Sequence, residues 1–182
     1  MSDGAAPRSH EHQQQSAAPP CAGGRPAAFA IITVSDTRTA ETDASGKLAR
    51  ELIEQAGHTV AFYRIVKDEV HQIRETLSEA LHADKVEIVF LTGGTGISPR
   101  DTTPEAVEKF LDKPLPGFGE LFRSLSFAEI GTATILSRAV GGVARGKGVF
   151  AAPGSRGAVK LALEKIVLPE AGHLLNELRK RG

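Results

Sequence analysis

The residues best suited to chemistry sit in four short polar segments, each following an apolar run. They are Ser35-Asp36 after FAIITV, Asp68 after TVAFYRIV, Gly93-Gly94-Thr95-Gly96 with Arg100 and Asp101 after IVFL, and Pro153-Gly154-Ser155 after GVFAA. Glycines let backbone N–H groups approach an anion that a Cβ would hold away. Thr95 adds a hydroxyl donor, and Asp101 adds a carboxylate able to hold a divalent cation. The combination reads as a phosphate-binding loop with a metal or catalytic acid attached. The loop departs from two common phosphate motifs, because no Gly-Lys-Ser/Thr follows at P-loop spacing and G-x-G-x-x-G is absent. A tight turn is the plain alternative for Gly93-Gly94. Asp68 serves either as the N-cap of a following helix or as a ligand, and Asp101 either pairs with Arg100 or faces a metal.

The elements that must position these residues follow from periodicity. Phe29–Val34 and Ile88–Leu91 are nearly continuous apolar runs, the pattern of parallel strands buried on both faces. Between them, Asp43 and Ser45 are candidate N-caps for a helix with Leu48, Leu52, Ile53 and Ala56 on one face and Gly57 at its end. Thr59–Val66 is a second strand, and Val70, Ile73, Leu77 and Leu81 mark a second helix with Asp68 just before it. Thr102-Thr103-Pro104 supplies an N-cap and an initial proline for a short helix carrying Ala106, Val107, Phe110 and Leu111. Lys113–Gly119 reads as a surface connection, and Glu120–Ile130 as a helix burying Leu121, Phe122, Leu125 and Ile130. Thr132–Val143 reads as a helix end leading into a short antiparallel strand, and Gly148–Ala152 as the last buried strand. Val159, Leu163 and Ile166 mark a final helix that breaks at Pro169. This order predicts an α/β fold, a three-layer α/β/α sandwich around a mostly parallel sheet. The four polar segments then converge on the carboxyl edge of that sheet, where open α/β folds bind ligands.

The chain has 182 residues, zero formal net charge and a pI near 7.0, which suits one domain and gives no global electrostatic reason to expect nucleic acid or an anionic membrane. The single cysteine, Cys21, excludes an intramolecular disulfide or a multi-cysteine metal site. His58, His71, His82 and His173 are scattered without metal-ligand spacing. No apolar run reaches membrane-span length and the N-terminus lacks the apolar core of a signal peptide, so a cytoplasmic location is expected. Residues 1–26 are rich in Ala, Pro, Gln, Ser and Gly and are expected to form a disordered extension to a folded domain at 27–182.

Beyond these readings, the chain resembles the MoaB/MogA family of molybdenum cofactor biosynthesis proteins, which includes molybdopterin adenylyltransferases. The resemblance rests on TVSDTR, TDASG, VKDE, LTGGTGISPRDTTPEA, LPGFGELFRSLSFAEIGTATILSRAVGGV and APGS, spread over roughly Ala27 to His173. The run GFGELFRSLSFAEIGTATILSRAV is closer to the MoaB branch. The resemblance implies the molybdopterin-binding, MogA-like fold in a ring-like homo-oligomer, a trimer or hexamer. It implies Mg²⁺-dependent transfer of AMP from ATP to the terminal phosphate of molybdopterin, releasing pyrophosphate. Asp68 and Asp101 match the family's two aspartates and are the expected catalytic and metal-binding pair. The expected substrate-binding set is Ser35, Asp36, Asp43, Ser45, Gly93, Gly94, Thr95, Gly96, Pro153, Gly154 and Ser155. Expected partners are molybdopterin, ATP and a molybdenum-insertion protein. The alternative within the family is a non-catalytic molybdopterin carrier or accessory protein. Ser137 and Arg138 meet either a phosphate or a subunit contact, and Arg123 is read as a solvated or interface residue.

Overall fold

A computed structural model of the chain describes residues 25–180, so the expected N-terminal extension, apart from Arg25 and Pro26, lies outside the described residues. A six-stranded sheet in the order β2-β1-β3-β6-β5-β4 forms the centre. Strands β1 (Ala28–Val34), β2 (Thr59–Val66), β3 (Ile88–Thr92) and β6 (Lys147–Ala152) pair in parallel. β5 (Val140–Ala144) runs antiparallel to β6, and the two-residue edge strand β4 (Lys113–Pro114) antiparallel to β5.

Continuous apolar strands have two faces to bury, and the alternation within them decides which residues go where. Phe29, Ile31, Ile88 and Phe90 face a core shared with α1 (Ala44–Gln55), α4 (Pro116–Ile130), α5 (Arg156–Ala162) and α6 (Leu168–Arg179). Their neighbours Ala30, Ile32, Val89 and Leu91 face the opposite core, against α2 (Val70–His82) and α3 (Thr103–Glu108). Burying each large side chain of this kind contributes about 1.5–3 kcal/mol. The result is the expected α/β/α sandwich with a mostly parallel sheet. After β1 the chain crosses to one face and adds β2 on one side. After β3 it crosses to the other face and later adds β6 on the other side. The crevice between the ends of β1 and β3 is therefore the topological switch point.

Four local expectations are corrected. The stretch Lys113–Gly119 is not merely a connection: it supplies β4 and the first turn of α4, which starts at Pro116 because its fixed φ suits a helix start. On α4, Phe118 and Phe122 take the core, while Leu121 and Ile130 point to solvent. The chain also does not break at Pro169. A π-turn at Leu163–Val167 lets the Leu168 N–H reach Leu163 O, and the helix continues past a proline with no N–H to donate. Finally, Thr132–Leu136 lies in a 3-10 segment (Gly131–Leu136) rather than an α-helix end.

Candidate functional site

At the end of β3 the backbone turns at Gly93 (φ +106°) and Gly94 (φ +62°). A Cβ on Gly93 would sit 2.2 Å from Val34 O, so this position admits only glycine where β3 passes the end of β1. A Cβ on Gly94 would lie 2.4 Å from Thr103 Oγ1 and 2.7 Å from Asp68 Oδ2, which shows how closely the loop backbone approaches that carboxylate. The Gly93 amide extends the sheet by donating to Ala152 O at 3.0 Å. The next three carbonyls are all held. Gly94 O accepts from Thr103 N at 2.9 Å, Thr95 O from Arg138 N at 3.0 Å, and Gly96 O from Arg138 Nε at 2.7 Å. In a trans peptide the N–H points opposite the C=O, so the amides of Thr95, Gly96 and Ile97 turn away from these anchors. Those amides have no acceptor among the described residues. Thr95 Oγ1 and Thr103 Oγ1, on residues buried to 2% and 0% exposure, also lack a partner.

The two aspartates stand on this loop in different ways. Asp68 does not cap the helix that follows it, since α2 has Glu69 at its N-cap with no side-chain bond. Asp68 Oδ1 instead accepts from Thr102 N and Thr102 Oγ1, both at 3.2 Å, capping α3 from another part of the chain. Burial raises the Asp68 carboxyl above its ordinary value; the Thr102 bonds oppose this, and the charges of Asp101 and Asp36 add to it. Asp101 is not paired with Arg100. Its Oδ2 accepts from Ser98 N at 2.9 Å and lies against Gly96, while Arg100 grips both oxygens of Asp36 at 2.8 Å. That bond from Arg100 is the main cause holding the Asp36 carboxyl below its ordinary value, and Asp36 Oδ1 also accepts the Asp68 amide at 3.2 Å. The Thr102 and Thr103 amides at the start of α3 are already used by Asp68 Oδ1 and Gly94 O.

The remaining expected residues build the loop framework. Ser35 Oγ accepts from the amides of Thr37 and Arg38. Asp43 is fully buried as the N-cap of α1, accepting from Gly46 N and from Tyr63 and Arg38, so its carboxylate faces the protein interior. Burial opposes its ionisation, but these donors together with Thr33 keep its carboxyl below the ordinary value. Burial and the Asp43 bond push the Tyr63 hydroxyl up to about 12. Ser45 Oγ donates to Gly154 O at 2.6 Å, Thr92 Oγ1 donates to Pro153 O, and Ser155 caps α5 through Ala158 N.

Sequence reasoning singled out only one of the two arginines that join these loops. Arg38 ties Asp43, Ser45 and Gly154 O together, and its only sequence signal was its place in TVSDTR after a strand. Arg138, left between two roles, binds Gly96 O, Asp101 O and the Glu105 carboxylate. A cleft of about 440 Å³ lies beside this cluster, lined by residues including Ile97, Ser98, Asp101, Thr102 and Arg138. Among the described residues no group of three or more His, Cys, Asp or Glu could hold a metal ion. A cation here would rest on one or two carboxylates, with ligand oxygens and water completing its shell, as Mg²⁺ prefers. Asp68 and Asp101 fit that demand, because Asp68 Oδ2 lies beside the loop backbone at Gly94 and neighbouring carboxylates disfavour its ionisation without a counter-charge.

Comparison with known proteins places the chain among relatives that share its fold. Residues 30–173 match the family described as "Probable molybdopterin binding domain". The chain is 57% identical over 151 residues to molybdenum cofactor biosynthesis protein B of Halalkalibacterium halodurans, covering 82% of this chain and 89% of that one. Identity to the protein of the same name in Bacillus subtilis is 51%, with 82% and 89% covered. Among solved structures, a molybdenum cofactor biosynthesis protein B superposes with a TM-score of 0.84 at 49% identity, covering 86% of this chain and 98% of that one. The tungsten cofactor synthesizing protein MoaB from Pyrococcus furiosus superposes at 0.77 with 39% identity, covering 85% and 98%.

Proposed function

The chain belongs to the MoaB/MogA family of molybdenum cofactor biosynthesis proteins, and from that premise we propose that it transfers AMP from ATP to the terminal phosphate of molybdopterin. One observation carries the reading: three consecutive carbonyls are anchored so that the amides of Thr95, Gly96 and Ile97 face away, beside two carboxylates from separate loops. In this reaction an oxygen of the molybdopterin phosphate attacks the α-phosphorus of ATP. A new P–O bond forms as the bond to pyrophosphate breaks. The attacking group is already anionic, so the site needs positioning and charge stabilisation more than a base. The loop amides and the Thr95 hydroxyl receive phosphate oxygens. Asp68 and Asp101 would hold the nucleotide's Mg²⁺, which would supply positive charge against the charge building on the phosphates. Asp68 is itself fixed by Thr102, so its free oxygen keeps one direction as ligands enter and leave.

The assay incubates purified protein with molybdopterin, ATP and Mg²⁺ and follows adenylylated molybdopterin by mass spectrometry. Product from the native protein that disappears in Asp68→Ala and Asp101→Ala supports the reading. Folded protein that binds molybdopterin and makes no product favours a carrier or accessory role. We further propose a homo-oligomeric state, supported by the exposed apolar side chains Leu121, Phe127, Ile130, Ile135 and Leu136 on α4 and the segment after it. Among the described residues no helix is long and apolar enough to cross a membrane.

A further inference from the structure

We infer that Arg138 is the positioning residue of the anion loop, an inference that rests on the proposed reading of that loop as a phosphate site. Its backbone N–H holds Thr95 O at 3.0 Å. Its guanidinium holds Gly96 O through Nε at 2.7 Å and Asp101 O through Nη2 at 2.6 Å, and Nη1 reaches the carboxylate of Glu105 on α3. One residue thus fixes two successive loop peptides, the backbone of Asp101 and the helix that follows.

Each anchored carbonyl fixes the opposite-facing amide of its peptide. Arg138 therefore orients the N–H groups of Gly96 and Ile97, while Thr103 N, through Gly94 O, orients that of Thr95. A loop with three glycines between 93 and 96 has many alternative conformations. Ordering it before the ligand arrives removes a conformational cost from binding. The planar fork is what the geometry needs, because carbonyls at Gly96 and Asp101 are met by different nitrogens of one rigid group. Lysine offers a single ammonium and cannot span both in the same way. Arg138 need not touch the phosphate for this role, since its donors already point at protein oxygens.

The test uses inorganic pyrophosphate as the probe, with affinity measured by calorimetry on the full chain and hydrogen exchange measured at the amides of residues 103 and 138, which are bonded to the loop carbonyls of Gly94 and Thr95. Arg138→Ala is expected to bind pyrophosphate at least tenfold more weakly and to lose exchange protection at the amides of residues 103 and 138, whose bonds to the loop carbonyls open as the loop loosens. Exchange in β1 and β3 should stay as in the native protein, and added guanidinium should restore part of the affinity. Arg138→Lys, which keeps the charge, should fall between the two and serves where the alanine variant folds poorly. Native-like pyrophosphate affinity in Arg138→Lys and Arg138→Ala overturns the inference. Weakened binding with unchanged exchange at residues 103 and 138 overturns it too, because the arginine would then act through charge alone. Absence of pyrophosphate binding by the native protein instead overturns the reading of the loop as an anion site.

Discussion

Asp68 Oδ1 accepts the Thr102 amide at 3.2 Å, so the carboxylate after β2 caps the helix after β3. This bond ties the two expected catalytic aspartates into one rigid unit, since Thr102 directly follows Asp101. Asn at position 68 can still accept from Thr102, but it cannot balance a cation. Asp68→Asn should therefore lower adenylyl transfer by about 100-fold or more, as should Asp101→Asn. Removing a carboxylate whose ionisation is opposed by burial, and further by Asp101 and Asp36, should also raise the melting temperature of Asp68→Asn. Calorimetry and the mass-spectrometric assay on the same preparation check both. A variant that is less stable than the native protein would show that the carboxylate supports the fold.

At Gly93 the backbone has φ +106° and a Cβ would meet Val34 O at 2.2 Å. Gly93→Ala should cost about 1–3 kcal/mol or more in strain and displacement of β3 from β1. Gly94→Ala has a separate effect, because its Cβ would press on Thr103 and Asp68. Its loss should appear more strongly in pyrophosphate affinity than in stability. Chemical denaturation alongside calorimetric titration separates the two outcomes. Native stability in Gly93→Ala would contradict the close approach of the strands.

The exposed segment is a third point of attack. Ile135 is 79% exposed, Phe127 57% and Ile130 55%, an expensive surface to leave in water. Phe127→Glu combined with Ile135→Glu should convert an oligomer to monomer while leaving the far-ultraviolet circular dichroism unchanged. Light scattering after size exclusion gives the mass directly. Unchanged mass in the double variant would move the interface elsewhere on the molecule.

Stability should fall on acidification through His58. Burial holds its ring below the ordinary value of 6.5, and its Nδ1 accepts the Ala27 amide at 3.0 Å. The folded state thus prefers the neutral ring, and the unfolded chain binds the extra proton first. The stabilisation is fully present above pH 6.5 and is lost as pH falls through the lowered folded value. Denaturant midpoints across this interval should drop more steeply for the native protein than for His58→Gln. Parallel curves would remove His58 from the pH dependence.

Much of the architecture was set by local pattern. FAIITV carries one polar residue, Thr33, and IVFL none, too few to line an outward face, so they had to become strands covered on both sides, and that requires helices on both faces. The β2 boundaries at Thr59 and Val66 and the turn at Gly57 were likewise written in alternation and punctuation. The glycines after β3 announced a loop at the sheet's carboxyl edge. What the pattern left open were partners far apart in the chain. Arg100 stands beside Asp101 in sequence, yet in space it grips Asp36, 64 positions away. Asp68 had the spacing of a cap for α2 and capped α3, because strand order brings β2 and β3 to either side of β1. Arg138 lay in a stretch of uncertain structure, and only the antiparallel return of β5 carries its side chain back under the glycine loop. Periodicity reports which way a residue faces within its own element. Which donor meets which acceptor depends on how the elements are stacked, and this only the tertiary structure decided.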